Sequence, residues 1–355
     1  MATLRRLLLA LVVAAVAASA GYLAMAPVAV DPQAWRAPAA RTWTTNDALH
    51  GAAWTQGELA GPETITFDRA GWLVTGLHDG RIVRMRADGA GAAQLVAMTG
   101  GRPLGLAYDA QDRLIVADAY RGLLAVDADG GIEVLTGEQG GVPFRFTDDL
   151  AIARDGTIYF SDASSRFQVE DWKLDILEHR ANGRLLAYHP DARRTDLVLG
   201  QLDFANGVAL GPDDEYLVVA ETASYRLRRV WLRGPRAGVT ELFADNLPGF
   251  PDNVTYAPAR HAFWVAIGSP RKAIVDALAP HPTLRRVVAR LPELLQPGVE
   301  RHAWAIALDE QGKIVADLQD ADDDSYSPLS SVIERDGWLY LGSFLRSGFA
   351  RARAP

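Results

Sequence analysis

The feature that most constrains this chain is a strand–turn–strand unit that recurs six times. Its clearest copy spans residues 146–190. Asp148-Asp149 opens a short apolar strand at 150–153, a turn follows at Arg154-Asp155-Gly156, and a second strand at 157–160 ends on Ser161-Asp162. Asp-Gly between two apolar runs specifies a hairpin, because the turn needs a positive φ that Gly adopts without steric cost. After a polar excursion a third strand, 184–188, closes the unit. The same pattern begins near residues 61, 102, 205, 251 and 330.

Short strands repeating every ~40–60 residues mark a β-propeller, in which a blade buries its faces only by stacking on its neighbours. The sequence therefore predicts an all-β fold, a six-bladed β-propeller occupying residues 53–355 as one domain. The last copy is short of one strand, and residues near Trp54 are placed to supply it by pairing with the C-terminus. Two stretches interrupt the repeat. Residues 164–184 form a polar excursion rich in Arg, Glu and Asp. Residues 270–301 carry apolar residues at helical spacing. They predict a small helical cap over the face where propeller insertions line a site.

Residues 1–30 stand apart. Arg5-Arg6 precede a long apolar run, and Ala18-Ser19-Ala20 has the small-x-small form of a cleavage site. The run reaches the ~20 residues that a bilayer span needs. It reads as a signal anchor or as a cleaved signal peptide, followed by a linker over 31–52. Under either reading the propeller is extracytoplasmic (periplasmic in a bacterium), because the arginines stay inside. It is held to the membrane through the N-terminal helix if that helix is not cleaved. The net charge of −8 argues against nucleic acid, which needs a basic footprint. The absence of cysteine excludes disulfides and zinc–thiolate sites.

The chemistry is expected where the first strands of the blades begin, since the innermost strands of a propeller converge on its axis. The residues there are Glu63, Leu104, Asp148 with Asp149, Asn206, Asp252 with Asn253, and Ser330. Four of the six positions offer a carboxylate or amide oxygen. Hard cations take six to eight oxygen ligands at ~2.3–2.6 Å, and Ca²⁺ is the usual occupant. No His or Cys joins the ring, which argues against zinc or copper. The competing reading is that Asp and Asn cap strand starts, as they do in many folds. A second polar set, Asp118, Asp162, Glu221 and Ser343, ends the second strands and fits loop support or polar ligand contacts. The run 320–324 is acidic but lacks the Gly and distal Glu of a calcium loop. There is no Gly-x-Ser-x-Gly elbow, phosphate loop or His-Glu-x-x-His. His302, just after the cap, is the one histidine singled out as a candidate catalytic group; the others read as surface or turn residues.

Several segments in order, Tyr159-Phe160-Ser161-Asp162, Phe204-Ala205-Asn206-Gly207-Val208, Ala220-Glu221-Thr222 and Leu247-Pro248-Gly249-Phe250-Pro251-Asp252-Asn253, resemble the strictosidine synthase-like family. The likeness covers most of residues 55–350. It implies the six-bladed propeller and, as in the non-plant members, an N-terminal anchor. It also brings in the wider superfamily of calcium-dependent gluconolactonases and paraoxonases. Matching that superfamily's calcium ligands gives Glu63, Asp148, Asn206, Asp252 and Asn253, with Asp148 in place of a usual Asn. The glutamate with which the plant synthases join an amine to an aldehyde pairs with Ser330, which cannot act as that acid or base. The paraoxonase second-blade histidine pairs with Leu104.

The resulting expectation is a calcium-dependent hydrolase of lactones or aryl esters, taking a small-molecule substrate in the central channel. Asp148, Asp252 or His302 would activate water there. The alternative is a non-catalytic propeller that binds a ligand or partner at the channel mouth. A condensing enzyme is disfavoured by Ser330.

Overall fold

The computed structural model describes residues 2–55 and 59–355. It contains six antiparallel four-stranded sheets arranged as the blades of a propeller, as the repeat predicts. The first strands of the blades are Ile65–Phe67, Pro103–Tyr108, Thr147–Ile152, Ala205–Leu210, Gly249–Ala257 and Ser331–Arg335. In each of the first five blades the remaining strands follow outward in sequence order. The sixth blade closes the ring: Ala53–Trp54 pairs with Ala350–Arg353, with Trp54 opposite Ala350. The expected N-terminal closure is thus observed.

The core lies between blades. Trp264, Leu339 and Leu341 pack blade five against blade six, and Phe263, Tyr216 and Phe243 pack blade five against blade four. Each interface is filled by strand residues that alternate between adjacent sheets, so removing one blade would expose both neighbours. A two-residue hairpin, Glu138–Gln139 with Val142–Pro143, leads into blade three.

Among the described residues four α-helices stand outside the blades: α1 (Ala2–Met25), α2 (Trp172–Glu178), α3 (Ala273–Leu278) and α4 (Pro282–Arg290). The last two realise the expected cap. The polar excursion of blade three, to which the sequence reading assigns no element, contains α2; Trp172, Ile176 and Leu177 at helical spacing are its sequence signal. The buried Arg285 guanidinium of α4 donates to the carbonyls of Leu177 (2.8 Å) and Gln33.

The stretch expected as a linker is bound along the cap side. Asp31 pairs with Arg180 and Arg286, the Gln33 amide donates to the Glu178 carbonyl at 2.9 Å, and Trp35 stacks on His179 at 4.1 Å. It acts as a strap. Among the described residues no helix is long and apolar enough to cross a membrane. The spanning segment expected over 1–30 therefore finds no support there.

Candidate functional site

The blades aim their leading side chains by one device. In blades two to five the pairing of the first two strands slips at 103/106, 147/150, 205/208 and 251/254. Such β-bulges re-aim side chains at the ends of strands. Each encloses a leading residue: Leu104, Asp148, Asn206 or Asp252. Two glycines let the first strands come close. A Cβ on Gly105 would lie 2.7 Å from Asp149 Cα, and one on Gly207 would lie 2.6 Å from Asn253 Cα.

The second polar set pins the loops that lead into these strands. Asp118 accepts the backbone N–H of Arg102 (3.1 Å), Asp162 those of Arg145 and Phe146, and Glu221 that of Asp203. Arg184 completes the charge of Asp162, and Arg226 and Arg228 that of Glu221. Loop support is the role these carboxylates perform.

Glu63, Asp148, Asn206 and Asp252 come together at the floor of a cavity of about 430 Å³. Its walls are chiefly apolar, with Phe146, Phe204 and Phe250 low down. Its roof comes from the insertions, through Trp172 and Ile176 of α2, Val275 of α3 and residues 296–299. All four floor residues are buried. Asp148 Oδ1, Asn206 Oδ1 and Asp252 Oδ1 have no hydrogen-bond partner. Buried acceptors without partners are rare, and each needs an explanation such as a bound ion.

The floor also holds a cation that the sequence did not point to. Buried Arg102 donates to Glu63 Oε2 at 3.0 Å and to the Gly61 carbonyl at 3.1 Å, while its Nη1 is unpartnered. Burial pushes the Glu63 carboxyl up and the Arg102 guanidinium down, each opposed by the charge of the other. Burial also drives Asp148 well above the carboxylate range, helped by the like charges of Glu63, Asp252 and Asp149. Asp252 is raised in the same way, and the Asn206 amide partly offsets it. Asp149 lies behind the floor, accepts the Val208 N–H at 2.9 Å and is pushed by burial to about 7.

The chemistry of the donor set fits a hard divalent cation. Three floor carboxylates against one guanidinium leave two formal negative charges, and every unpartnered floor acceptor is an oxygen. The carboxylates are not drawn into a tight cluster. Among the described residues, the one group of three with ligand atoms within 4.8 Å of one another is His50, Asp320 and Asp322, in the acidic loop, where His50 and Asp322 are exposed.

Other expected residues lie elsewhere. Asn253 is buried beside Asp252 but is not among the cavity-lining residues. Its amide donates to Thr64 Oγ1 at 3.2 Å, although its Oδ1 is also unpartnered. His302, the expected candidate base, is outside the cavity lining as well. Its ring stacks on Trp304 at 4.8 Å, and its Nε2 meets Gln319 Oε1 at 3.1 Å. Ser330 donates to the Glu63 carbonyl at 2.7 Å and braces the floor. Leu104 packs with Phe146 and Phe204. The imidazole in the cavity lining is His78, read from sequence as a turn residue. Its Nε2 lies 2.8 Å from the Phe344 carbonyl. A carbonyl only accepts, so Nε2 carries the proton and Nδ1 the lone pair. Burial and the Arg102 charge hold its pKa low.

Comparison with known proteins places the chain in a family and agrees with the fold. A strictosidine synthase family model matches residues 148–235, and a strictosidine synthase-like N-terminal model matches 42–85. Strictosidine synthase-like protein 10 of Arabidopsis thaliana is 37% identical over 314 residues, covering 81% of this chain and 83% of the relative. The chain belongs to the strictosidine synthase-like family. The adipocyte plasma membrane-associated protein of Rattus norvegicus is 34% identical over 318 residues, covering 83% of each. The strictosidine synthase-like propeller also resembles solved structures at the level of fold. A gluconolactonase from Xanthomonas campestris superposes with a TM-score of 0.62 at 21% identity, covering 93% of this chain and 99% of that one. Regucalcin from Agrobacterium tumefaciens, a calcium-binding protein, superposes with a TM-score of 0.55 at 16% identity, covering 82% and 89%.

Proposed function

We propose that this strictosidine synthase-like propeller is a calcium-dependent hydrolase of lactones or aryl esters. The observation that carries the reading is the set of unpartnered buried oxygens on Asp148, Asn206 and Asp252, three residues that line one largely apolar cavity. These three would hold the ion, with Glu63 as a fourth ligand through the oxygen that Arg102 leaves free. A bound divalent cation polarises a carbonyl and stabilises the oxyanion that forms from it. The chain supplies the rest. The phenylalanine walls hold the apolar body of the substrate and exclude water. Arg102 Nη1 offers an unused N–H to a substrate oxygen. Asp148 or Asp252, or the Nδ1 of His78, accepts the proton of the attacking water.

Hydrolysis of a lactone and aryl-ester panel by the full chain, with calcium and then with a chelator, tests this reading. Turnover that needs calcium and disappears in Asn206→Ala supports it; turnover that survives the chelator sinks it. One observation favours the second reading, a non-catalytic propeller that binds a small molecule. The Glu63–Arg102 pair already places a fixed positive charge at the floor. Calcium that raises the melting temperature without any turnover would move the assignment there.

A further inference from the structure

The cap and a loop of the sixth blade carry exposed apolar side chains on segments that line the cavity or adjoin its lining. Leu294 is 94% exposed, Leu295 65%, Leu345 60% and Ile274 56%. Leu345 itself lines the cavity. Leu295 precedes the lining residues 296–299, and Ile274 lies between the lining residues Lys272 and Val275. The segments that form the rim of the mouth therefore turn large aliphatic side chains outward. Scattered exposed leucines are ordinary, but several around one opening mark an interaction surface.

A second observation says what covers it. The end of α1 and the residues just after it are fastened to α4 of the cap and to the neighbouring blade-three excursion. Arg290 of α4 donates to the carbonyls of Ala26 (2.6 Å) and Leu23 (2.9 Å), and Arg166 donates to that of Ala29 at 2.7 Å. α1 leaves Leu9, Leu11, Val12, Val13 and Val16 more than half exposed. Between α1 and Leu294 the chain of attachment is thus Arg290 and one short segment. An apolar helix and an apolar rim joined in this way can share a single apolar phase.

We propose that the cap is a lipid-docking surface: α1 and the rim leucines enter the same membrane face, so the cavity mouth opens against lipid. Ligands then reach the floor from the bilayer, and the class admitted is lipophilic, with an apolar body that partitions into the acyl region. Burial of the rim aliphatics supplies the attraction. The opposite face of the propeller points to water. It carries the turns between first and second strands, such as that at Gln111, where Pro103 and Asp118 pair at the cavity end and Tyr108 and Leu114 at the far end.

The chain has no cysteine, so a single introduced thiol reports one position. Full-length Leu294→Cys, Leu345→Cys and Gln111→Cys would each be labelled with an environment-sensitive fluorophore. Each is mixed with phosphatidylcholine–phosphatidylglycerol vesicles, with and without spin-labelled acyl chains. The expected result is a blue shift and acyl-chain quenching at 294 and 345, and neither at 111. Leu294→Asp/Leu295→Asp in the Leu345→Cys background should return the 345 label to its aqueous spectrum while α1 keeps the protein on the vesicle. Labels at 294 and 345 that remain aqueous on vesicle-bound protein overturn the proposal. So does quenching at 111. A blue shift at 294 that grows with protein concentration and needs no vesicles assigns the face to a second copy of the chain, and also overturns it.

Discussion

The floor and the roof of the cavity are built by different rules. Every oxygen-bearing floor residue occupies the same place in a repeated blade, at or just before the start of an innermost strand, and a bulge sets its aim in blades three to five. The roof has no repeat behind it. It is assembled from α2 in blade three and from α3 and 296–299 in blade five, joined by ion pairs such as Lys173–Glu293 at 2.7 Å. The floor is buried and charged; the roof is apolar and open to solvent on its outer side. The difference teaches how such a fold divides its labour. Symmetry concentrates oxygens on the axis, where chemistry can be kept constant, while single-copy insertions decide what fits above them.

The largest expected effect falls on the floor. Asp252→Ala removes a carboxylate whose Oδ1 has no protein partner. Calcium affinity measured by titration calorimetry should fall by roughly a hundredfold or more, given that even supporting residues around a metal are worth 10–100-fold. Turnover should fall with it. Unchanged calcium affinity would break the assignment of the floor as a metal centre.

Next comes the Glu63–Arg102 pair, buried at both ends. Removing one partner of such a pair costs about 3–5 kcal/mol, because the other charge is stranded. Arg102→Met should lose about that much in chelator, measured by denaturant unfolding. Calcium should restore part of it, since the freed Glu63 becomes a full ligand. If calcium restores nothing, Arg102 is the resident cation of the floor, and the binding-module reading gains.

A third effect sharpens the comparison through pH. Asp148 and Asp252 on the floor, Asp149 behind it and Asp175 on the roof all have raised pKa values, Asp149 to about 7 and Asp175 to about 6, with burial the leading cause in each. For a raised carboxyl the stabilisation is complete below the ordinary value near 4 and is lost as pH rises through the folded value. In chelator the melting temperature should therefore fall between about pH 4 and 7. Calcium favours the ionised floor and should cancel its share of the fall. The share of Asp175, held by Ser164 Oγ at 2.5 Å and Asn182 Nδ2 at 3.0 Å, should remain. A melting profile that calcium leaves unchanged would detach the floor carboxylates from any cation.

The same division explains what the sequence made legible. Six aligned copies located the blades, the closing strand and the four oxygen-bearing floor residues, because a repeat makes equivalent positions visible without any tertiary information. Arg102 stayed hidden because its meaning lies in a contact with Glu63 of the preceding blade, 39 residues away. Between Asp252 and its neighbour Asn253, the bulge decides which one faces the cavity, and adjacent polar residues read alike in sequence. His78 looked like a turn residue because it is one; the turn happens to end at the cavity mouth. His302 follows an insertion, where no repeat fixes which way a strand's side chains point. The helix α2 is masked in the polar excursion because Glu170 and Asp171 precede it and Lys173, Asp175 and Glu178 interrupt its apolar residues Trp172, Leu174, Ile176 and Leu177.

The smallest predicted effect lies on the roof, and it separates the two regions most cleanly. Trp172 of α2 lines the cavity and meets the Phe344 ring edge-on, with centroids 6.4 Å apart. Trp172 touches no floor oxygen. Trp172→Ala removes an aromatic wall, whose specific contacts are worth ~0.5–1.5 kcal/mol beyond area. That corresponds to a KM rise of up to about tenfold for bulky aryl esters and less for small lactones. Calcium affinity should not move, and the melting temperature should change little, because α2 is already half open to solvent. Titration calorimetry beside steady-state kinetics on the same variant reads both. A variant that loses calcium along with KM would show that roof and floor act as one unit, and the division drawn here between repeated chemistry and inserted specificity would fail.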